Sequence, residues 1–205
     1  RLMKEYRESG FPVTIVRPSL TYGDSMIYAA TNSWNHPYTI IDRMRRGKKL
    51  IVPGDGTSLW TMTHNTDFAK GFVGLMGNIQ AIGHAFHITS DEVLSWNQIY
   101  EIIGRVAGVK PEIIHIPSDF IAAFAPWMRG DLLGDKVAGV VFDNSKIKRF
   151  VPGFVATTTL EHGLRQSLRW FEADPKRCTI DEDWNNLLDK IIEAYEMGLK
   201  MAVAD

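Results

Sequence analysis

One cysteine, Cys178, in 205 residues leaves no internal disulfide to form and fits a reducing compartment, so a cytoplasmic location is the expectation. Charge of either sign is not in excess. The 23 Lys and Arg against 24 Asp and Glu give a net charge of −1, which implies no electrostatic steering toward nucleic acid or a membrane surface. No apolar run approaches the ~20 residues of a membrane span. The start carries no secretory-signal pattern. Nowhere does a G-x-G-x-x-G follow a strand, so the strand-turn-helix that grips a pyrophosphate is absent. No internal repeat or low-complexity segment is present either.

What is present is ordinary globular composition, 45% apolar and 23% charged, enough for a real core in one or two domains. The most informative stretch is the opening. A charged helix, Arg1–Ser9, has no N-cap, because Arg1 is already in mid-pattern, and we expect residues to precede it. The chain turns at Gly10 and runs through apolar Phe11–Val16 to Arg17-Pro18-Ser19-Leu20-Thr21-Tyr22-Gly23. An apolar strand that stops at a proline delivers a loop to the carboxyl edge of a sheet, where ligands bind in open α/β folds.

The same alternation continues. We expect strands at Phe11–Arg17, Lys49–Val52, Ala85–Thr89 and Glu112–Ile116, and an extended Leu59–Thr63. Helices are expected at Tyr38–Arg46, from Asn65 or Thr66 to about Gly77, at Trp96–Ala107 between Ser95 and Gly108, and from Pro117 to about Ala125. Two more are expected at Thr159–Phe171 and Asn185–Met201. In the helix after Asn65, Phe68, Phe72, Val73 and Met76 are expected on the buried side. Gly130–Asp143 is the least readable stretch. Strand–helix alternation argues an α/β fold.

The junction resembles the extended short-chain dehydrogenase/reductases, the NAD-dependent epimerase/dehydratase family. Lys4-Glu5-Tyr6-Arg7-Glu8-Ser9-Gly10 resembles the end of the helix that carries that family's catalytic Tyr-x-x-x-Lys. Pro12–Val16 and Arg17-Pro18-x-x-x-Tyr22-Gly23 resemble the strand and loop that follow. Gly54-Asp55-Gly56, Asp67-Phe68-Ala69, Phe86–Asp91 and Leu160-Glu161-His162-Gly163-Leu164 keep the family's order and spacing. The resemblance covers Arg1 to about Pro175. It implies the C-terminal part of a Rossmann-like enzyme with its smaller α/β substrate domain. Residues 1–23 would end the dinucleotide-binding domain, 24–83 bind substrate, 84–110 return to the Rossmann sheet, 111–175 complete the substrate domain, and 176–205 form a helical extension.

The resemblance further implies NAD or NADP, bound mainly by an N-terminal part outside this sequence, with Pro18, Ser19 and Leu20 walling the nicotinamide. Leu20, Tyr22, Trp34, Trp60 and His64 become candidate substrate residues. The family's acid/base pair is missing: Tyr6, Tyr22 and Tyr28 have no Lys four residues on. This chain alone is therefore expected to be inactive, with no catalytic residue of its own. Sugar-nucleotide members carry an Arg, matched to phosphate oxygens, where this chain has Trp60, and an Asp where it has Thr61; Leu20 stands where they often have Asn. An indole cannot neutralise a diphosphate, so a substrate other than a sugar nucleotide is expected. Trp60 itself reads equally as a core aromatic or a pocket wall.

Other features read more plainly. His64 reads first as a capping or packing residue and only second as a substrate or acid/base group. Asp67 suits the first turn of a helix. His84 and His87, three apart on a strand, point to opposite faces, so no metal site is expected. Arg43, Arg45, Arg46, Lys48 and Lys49 read as a helix C-terminus before they read as a phosphate or RNA patch. Trp34, Asn35, His36 and Tyr38 crowd the loop after Gly23 and suit a substrate lid. The series Trp170, Trp184, Leu187, Leu188, Ile191, Ile192 and Tyr195 is core or an oligomer contact, and a homo-oligomer is expected. The rival readings are a non-catalytic or RNA-binding member of the same fold and a self-standing binding module.

Overall fold

A computed structural model describes residues 1–203; residues 204 and 205, the end of the expected C-terminal extension, lie outside the described residues. The elements follow as α1 (Leu2–Ser9), β1 (Ile15–Pro18), β2 (Leu20–Tyr22), α2 (Thr39–Arg45), β3 (Leu50–Pro53), β4 (Leu59–Trp60) and β5 (Met62–His64). Next come α3 (Asn65–Leu75), β6 (Ala85–Ile88), β7 (Leu94–Ser95), α4 (Trp96–Ala107), β8 (Ile113–Ile116) and α5 (Ser118–Phe124). The short α6 (Arg129–Asp131) runs into a π-helical turn, Leu132–Lys136, and α7 (Ser145–Phe150), α8 (Leu160–Glu172) and α9 (Glu182–Val203) complete the order. The chain divides into two compact units. One comprises Arg1–Gly23, Thr61–Val93 and Val141–Leu160; the other comprises Asp24–Trp60, Leu94–Val140 and Glu161–Asp205.

In the first unit, β1 pairs in parallel with β6, Ile15 opposite Ala85 and Pro18 opposite Ile88, and β2 pairs in parallel with β5, Leu20 opposite Met62. The ladder begins at Ile15 and not at Phe11. Pro12 has no N–H to give. The Val13 carbonyl accepts from Gly83 N–H at 2.7 Å and the Thr14 hydroxyl donates to the Ala81 carbonyl, so both are committed to a turn before β6. The core gathers Leu75, Ala81, Phe86, Ile88, Ile147 and Phe154.

Helix α3 corrects the expected face. Phe72, Val73 and Met76 are exposed, and the buried residues are Asp67, Gly71 and Leu75. The reason lies in Gly71-x-x-Gly74-x-x-Gly77. This G-x-x-G-x-x-G is not a phosphate loop, because Gly71 and Gly74 lie inside the helix. A Cβ on Gly71 would come within 2.7 Å of Ile88 and 3.2 Å of Phe154, and one on Gly74 within 2.3 Å of Val151. The missing side chains let the helix approach closely, and its small-residue side packs inward at the expense of the larger apolar stripe.

In the second unit β3 pairs in parallel with β8, Leu50 opposite Ile113, and β4 pairs antiparallel with β7. The expected extended segment Leu59–Thr63 is thus two strands, interrupted at Thr61. Helices α4 and α9 both pack against β3. Helix α4 runs as its signals predict: Ser95 and Gln98 form a reciprocal capping box, and Gly108 ends it with φ 79°. The core joins Ile51, Ile116, Ile121, Leu132, Leu188 and Ile191, with Trp184, Leu187 and Tyr195 packed at its border.

The basic run is used up within this unit. Arg43, only 1% exposed, donates to the Lys49 carbonyl, to Asn185 and to Asp189 at 2.5 Å. Lys48 also pairs with Asp189, Lys49 with Glu196, Arg45 with Glu172, and Arg46 with Asp42 and Glu182. The cations hold α8 and α9 in place. Among the described residues no helix is long and apolar enough to cross a membrane.

Gly71 gives a test of the packing. A mid-helix glycine replaced by alanine ordinarily gains up to ~1 kcal/mol. Here overpacking against Ile88 and Phe154 costs about 1–3 kcal/mol, so Gly71→Ala is expected to lower stability in urea denaturation. A gain would show that α3 does not sit this close.

Candidate cofactor and substrate site

Residue 19 is where the first unit opens. Before it, β1 follows β6; after it, β2 follows β5. Both pairings are parallel, and the chain passes from one ladder to the other at a single residue, Ser19, between the carboxyl end of β1 and the start of β2. One hydroxyl closes the fork. Thr63 Oγ1 lies 2.8 Å from Ser19 Oγ and accepts the Ser90 N–H at 2.8 Å. Asn144, which no local pattern marks, secures the segment after β6. Its amide donates to the Thr89 carbonyl and to Asp91 Oδ1, and its oxygen accepts from the Thr89 hydroxyl and N–H.

The fork offers a donor-poor surface. Pro18 is exposed and lacks an N–H, the Ser19 hydroxyl is turned to Thr63, and Leu20 is half-buried and apolar. That set fits the face of an aromatic ring such as nicotinamide. It does not fit a pyrophosphate, which needs backbone donors or cations.

Tyr22 lies deeper. It is buried, its ring meets the His64 ring edge-on at 5.3 Å, and its hydroxyl is enclosed without a hydrogen-bond partner. Burial, with Glu92 and Asp67 adding to it, raises the phenol above its ordinary range. An acid/base tyrosine needs the opposite shift. His64 occupies the N-cap position of α3 without capping it; its Nδ1 is 2.8 Å from Thr66 Oγ1. Asp67, 1% exposed, accepts from Lys70 at 2.6 Å and from the Thr158 N–H at 2.7 Å. Burial pushes its carboxyl up, but these bonds from Lys70 and residues 157–158 outweigh it and hold the group below the usual range.

Trp34 and Trp60 belong to the second unit. Trp60 is 9% exposed; its ring lies 5.5 Å from that of Trp96, and the indole N–H of each is buried without a partner. Lys136 Nζ, almost wholly buried, sits 5.5 Å from the Trp60 ring centre and 5.9 Å from that of Tyr28, and donates to Asp135 at 3.3 Å. No pattern in the sequence signals Lys136, because it lies in the π-helical turn of the least readable stretch. Trp34 is 62% exposed and stands edge-on to Tyr28 at 5.8 Å. His84 packs on Phe86 and Phe150, and His87 on Phe142. Among the described residues no group of His, Cys, Asp and Glu is placed to hold a metal ion.

Residues 1–89 match the NAD dependent epimerase/dehydratase family. The chain is 25% identical over 116 residues to the chloroplast stem-loop binding protein of 41 kDa b of Arabidopsis thaliana, an overlap of 56% of this chain and 29% of that protein. Among solved structures it is similar to UDP-glucose 4-epimerase from Thermotoga maritima with UDP-glucose, at 20% identity and a TM-score of 0.63, covering 84% of this chain and 50% of that one. It is likewise similar to dTDP-glucose 4,6-dehydratase from Bacillus anthracis in complex with NAD, at 19% identity and a TM-score of 0.63, covering 85% and 49%. The chain spans about half the length of these structures and under a third of the curated relative. At such identities the structures establish the fold: α/β, with the parallel strand pairs of the Rossmann-like epimerases and dehydratases, as the resemblance implied.

Asp67 carries a pH signature. A carboxyl held low in the folded state stabilises above its unfolded pKa of about 3.9, and that stability is lost as pH falls through the lower folded value. Asp67→Asn is expected to cost about 2 kcal/mol near pH 6, with the gap from the parent closing below about pH 4. Denaturant titrations across that range check it; a gap independent of pH would contradict the role of the charge.

Proposed function

We propose that this chain is the substrate-binding and cofactor-wall portion of an NAD(P)-dependent epimerase, dehydratase or reductase. The observation that carries the reading is the fork at Ser19, where Pro18, Ser19 and Leu20 present a donor-poor surface at the carboxyl end of the β1–β6 pair, as the chain crosses to β5. Bound there, a nicotinamide would supply hydride chemistry. Pro18 and Leu20 would hold the ring's face and keep water from it, and the Ser19–Thr63–Ser90 bonds would fix the segments on either side of it. The pyrophosphate grip and a Tyr-Lys acid/base pair would have to come from residues outside this sequence, so the chain by itself is read as inactive.

The substrate is read as something other than a sugar nucleotide. Residue 60 is an indole packed on Trp96, and its single N–H, buried and uncharged, cannot replace a guanidinium fork on a diphosphate. A second reading, nucleic-acid binding, draws on the stem-loop binding named for the Arabidopsis relative. It is weakened by the basic run, whose five cations are all paired with carboxylates of their own unit.

Titration of the chain with NAD and with NADP, followed by amide spectra, tests the reading. Binding no tighter than about millimolar is expected, near −4 kcal/mol, with shifts centred on Ser19, Leu20 and Ser90. Micromolar binding would contradict the missing grip, and saturation without shifts at those residues would contradict the wall. UDP-glucose in the same titration is expected to leave the Trp60 indole signal unmoved. A stem-loop RNA bound tightly at physiological salt would favour the second reading.

A further inference from the structure

The second unit contains a cleft that the nicotinamide reading does not use. Its volume is about 310 Å³, and its walls include Tyr28, Trp34, Trp127 and Trp184 together with the carboxylates of Asp131 and Asp181; no Lys, Arg or His lines it. Two of the indoles lie open to solvent, Trp34 at 62% and Trp127 at 67%. Large exposed rings gathered around one concavity mark a surface that gains by being covered.

The cleft is held in shape by its own hydrogen bonds. The Trp184 indole N–H donates to the Thr31 carbonyl at 3.0 Å. Thr31 in turn is fixed to the Ile51 carbonyl and the Tyr100 hydroxyl. The Asn32 amide ties the loop across from Ile27 to Pro37, and Ser33 Oγ donates to Asp181 at 2.7 Å. Such preformation lowers the ordering cost of a ligand.

Charge selects the ligand class. A pocket with two carboxylates and no basic group repels phosphates and carboxylates. Asp181 already accepts from Ser33 Oγ and the Trp184 N–H. Asp131 lies at the exposed end of α6 and acts on the Tyr28 phenol, which burial first, then Asp131 and Asp135, keeps protonated. Lys136, the cation over the Tyr28 ring, is matched by Asp135. Indole faces attract ammonium groups through their quadrupole, most strongly for Trp.

We propose that this cleft binds an organic cation, a small ligand carrying a quaternary or alkylated ammonium group. The ammonium would seat among the rings of Trp34, Trp127 and Tyr28, with Asp131 supplying the counter-charge. The proposal goes beyond the nicotinamide reading and does not depend on it, since every wall residue lies in the second unit.

Calorimetric titration of the full chain with choline chloride, at ionic strength matched with sodium chloride, tests it, with glucose as the neutral comparison. Choline is expected to bind, glucose to give no heat, and Trp127→Ala and Asp131→Asn each to weaken choline about threefold or more. Both side chains are exposed, so both variants should keep the parent's circular dichroism and melting curve. Three results would each overturn the proposal: no choline binding by the parent, choline affinity unchanged in both folded variants, or glucose bound in preference to choline.

Discussion

The Thr63 hydroxyl is the contact on which the first unit's opening depends. Here the chain changes strand partner within one residue, from β6 up to Pro18 to β5 from Leu20. Ser19 leaves β6 and joins β5. The buried Ser90 N–H would be left unsatisfied there without a substitute, a cost of about 1–3 kcal/mol. Thr63 Oγ1 accepts from it and at the same time lies 2.8 Å from the Ser19 hydroxyl, joining the two sides. Asn144 and Asp67 extend the same device outward, each holding a segment that would otherwise leave polar groups unpaired. Because the polar groups look inward, the surface left at Pro18 and Leu20 is apolar, and that is what suits it to a ring.

The second unit rests on charge in a comparable way. Arg43 is buried, and a buried guanidinium is tolerable only when its donors are met. They are met by the Lys49 carbonyl, by Asn185 and by Asp189, so the helix α2 and the C-terminal helix α9 hold each other through one side chain. Seen only as sequence, five cations in seven residues suggest an anion-binding surface. In the fold their counter-charges come from Glu172, Glu182, Asp189 and Glu196, more than a hundred residues further along.

Sequence signals suffice where the chemistry is local. Ser95, Gln98 and Gly108 mark both ends of α4 because capping involves only neighbours. Pro18 marks the end of β1, and the order of short motifs from Tyr6 to Asp91 carries the fold. Signals failed where distant groups decide. The large apolar stripe of α3 misleads because Gly71 and Gly74 meet Ile88, Phe154 and Val151, none of them near in sequence. Phe11 looks like strand, yet Val13 and Thr14 are claimed by the turn at Ala81–Gly83. Neither Thr63 nor Asn144 could be singled out, since each acts only through partners tens of residues away. Trp60, ambiguous in sequence, lies against Trp96 in the core of its unit.

Thr63 thus ties the two sides of the fork together and orders its rim. Amide hydrogen exchange in the parent and in Thr63→Val measures this most directly, because valine keeps the shape and removes the hydroxyl. Ser90 is expected to lose its protection in the variant, residues 19–21 to exchange faster, and the β3–β8 ladder of the second unit to stay unchanged. Unaltered protection of the Ser90 amide would contradict it.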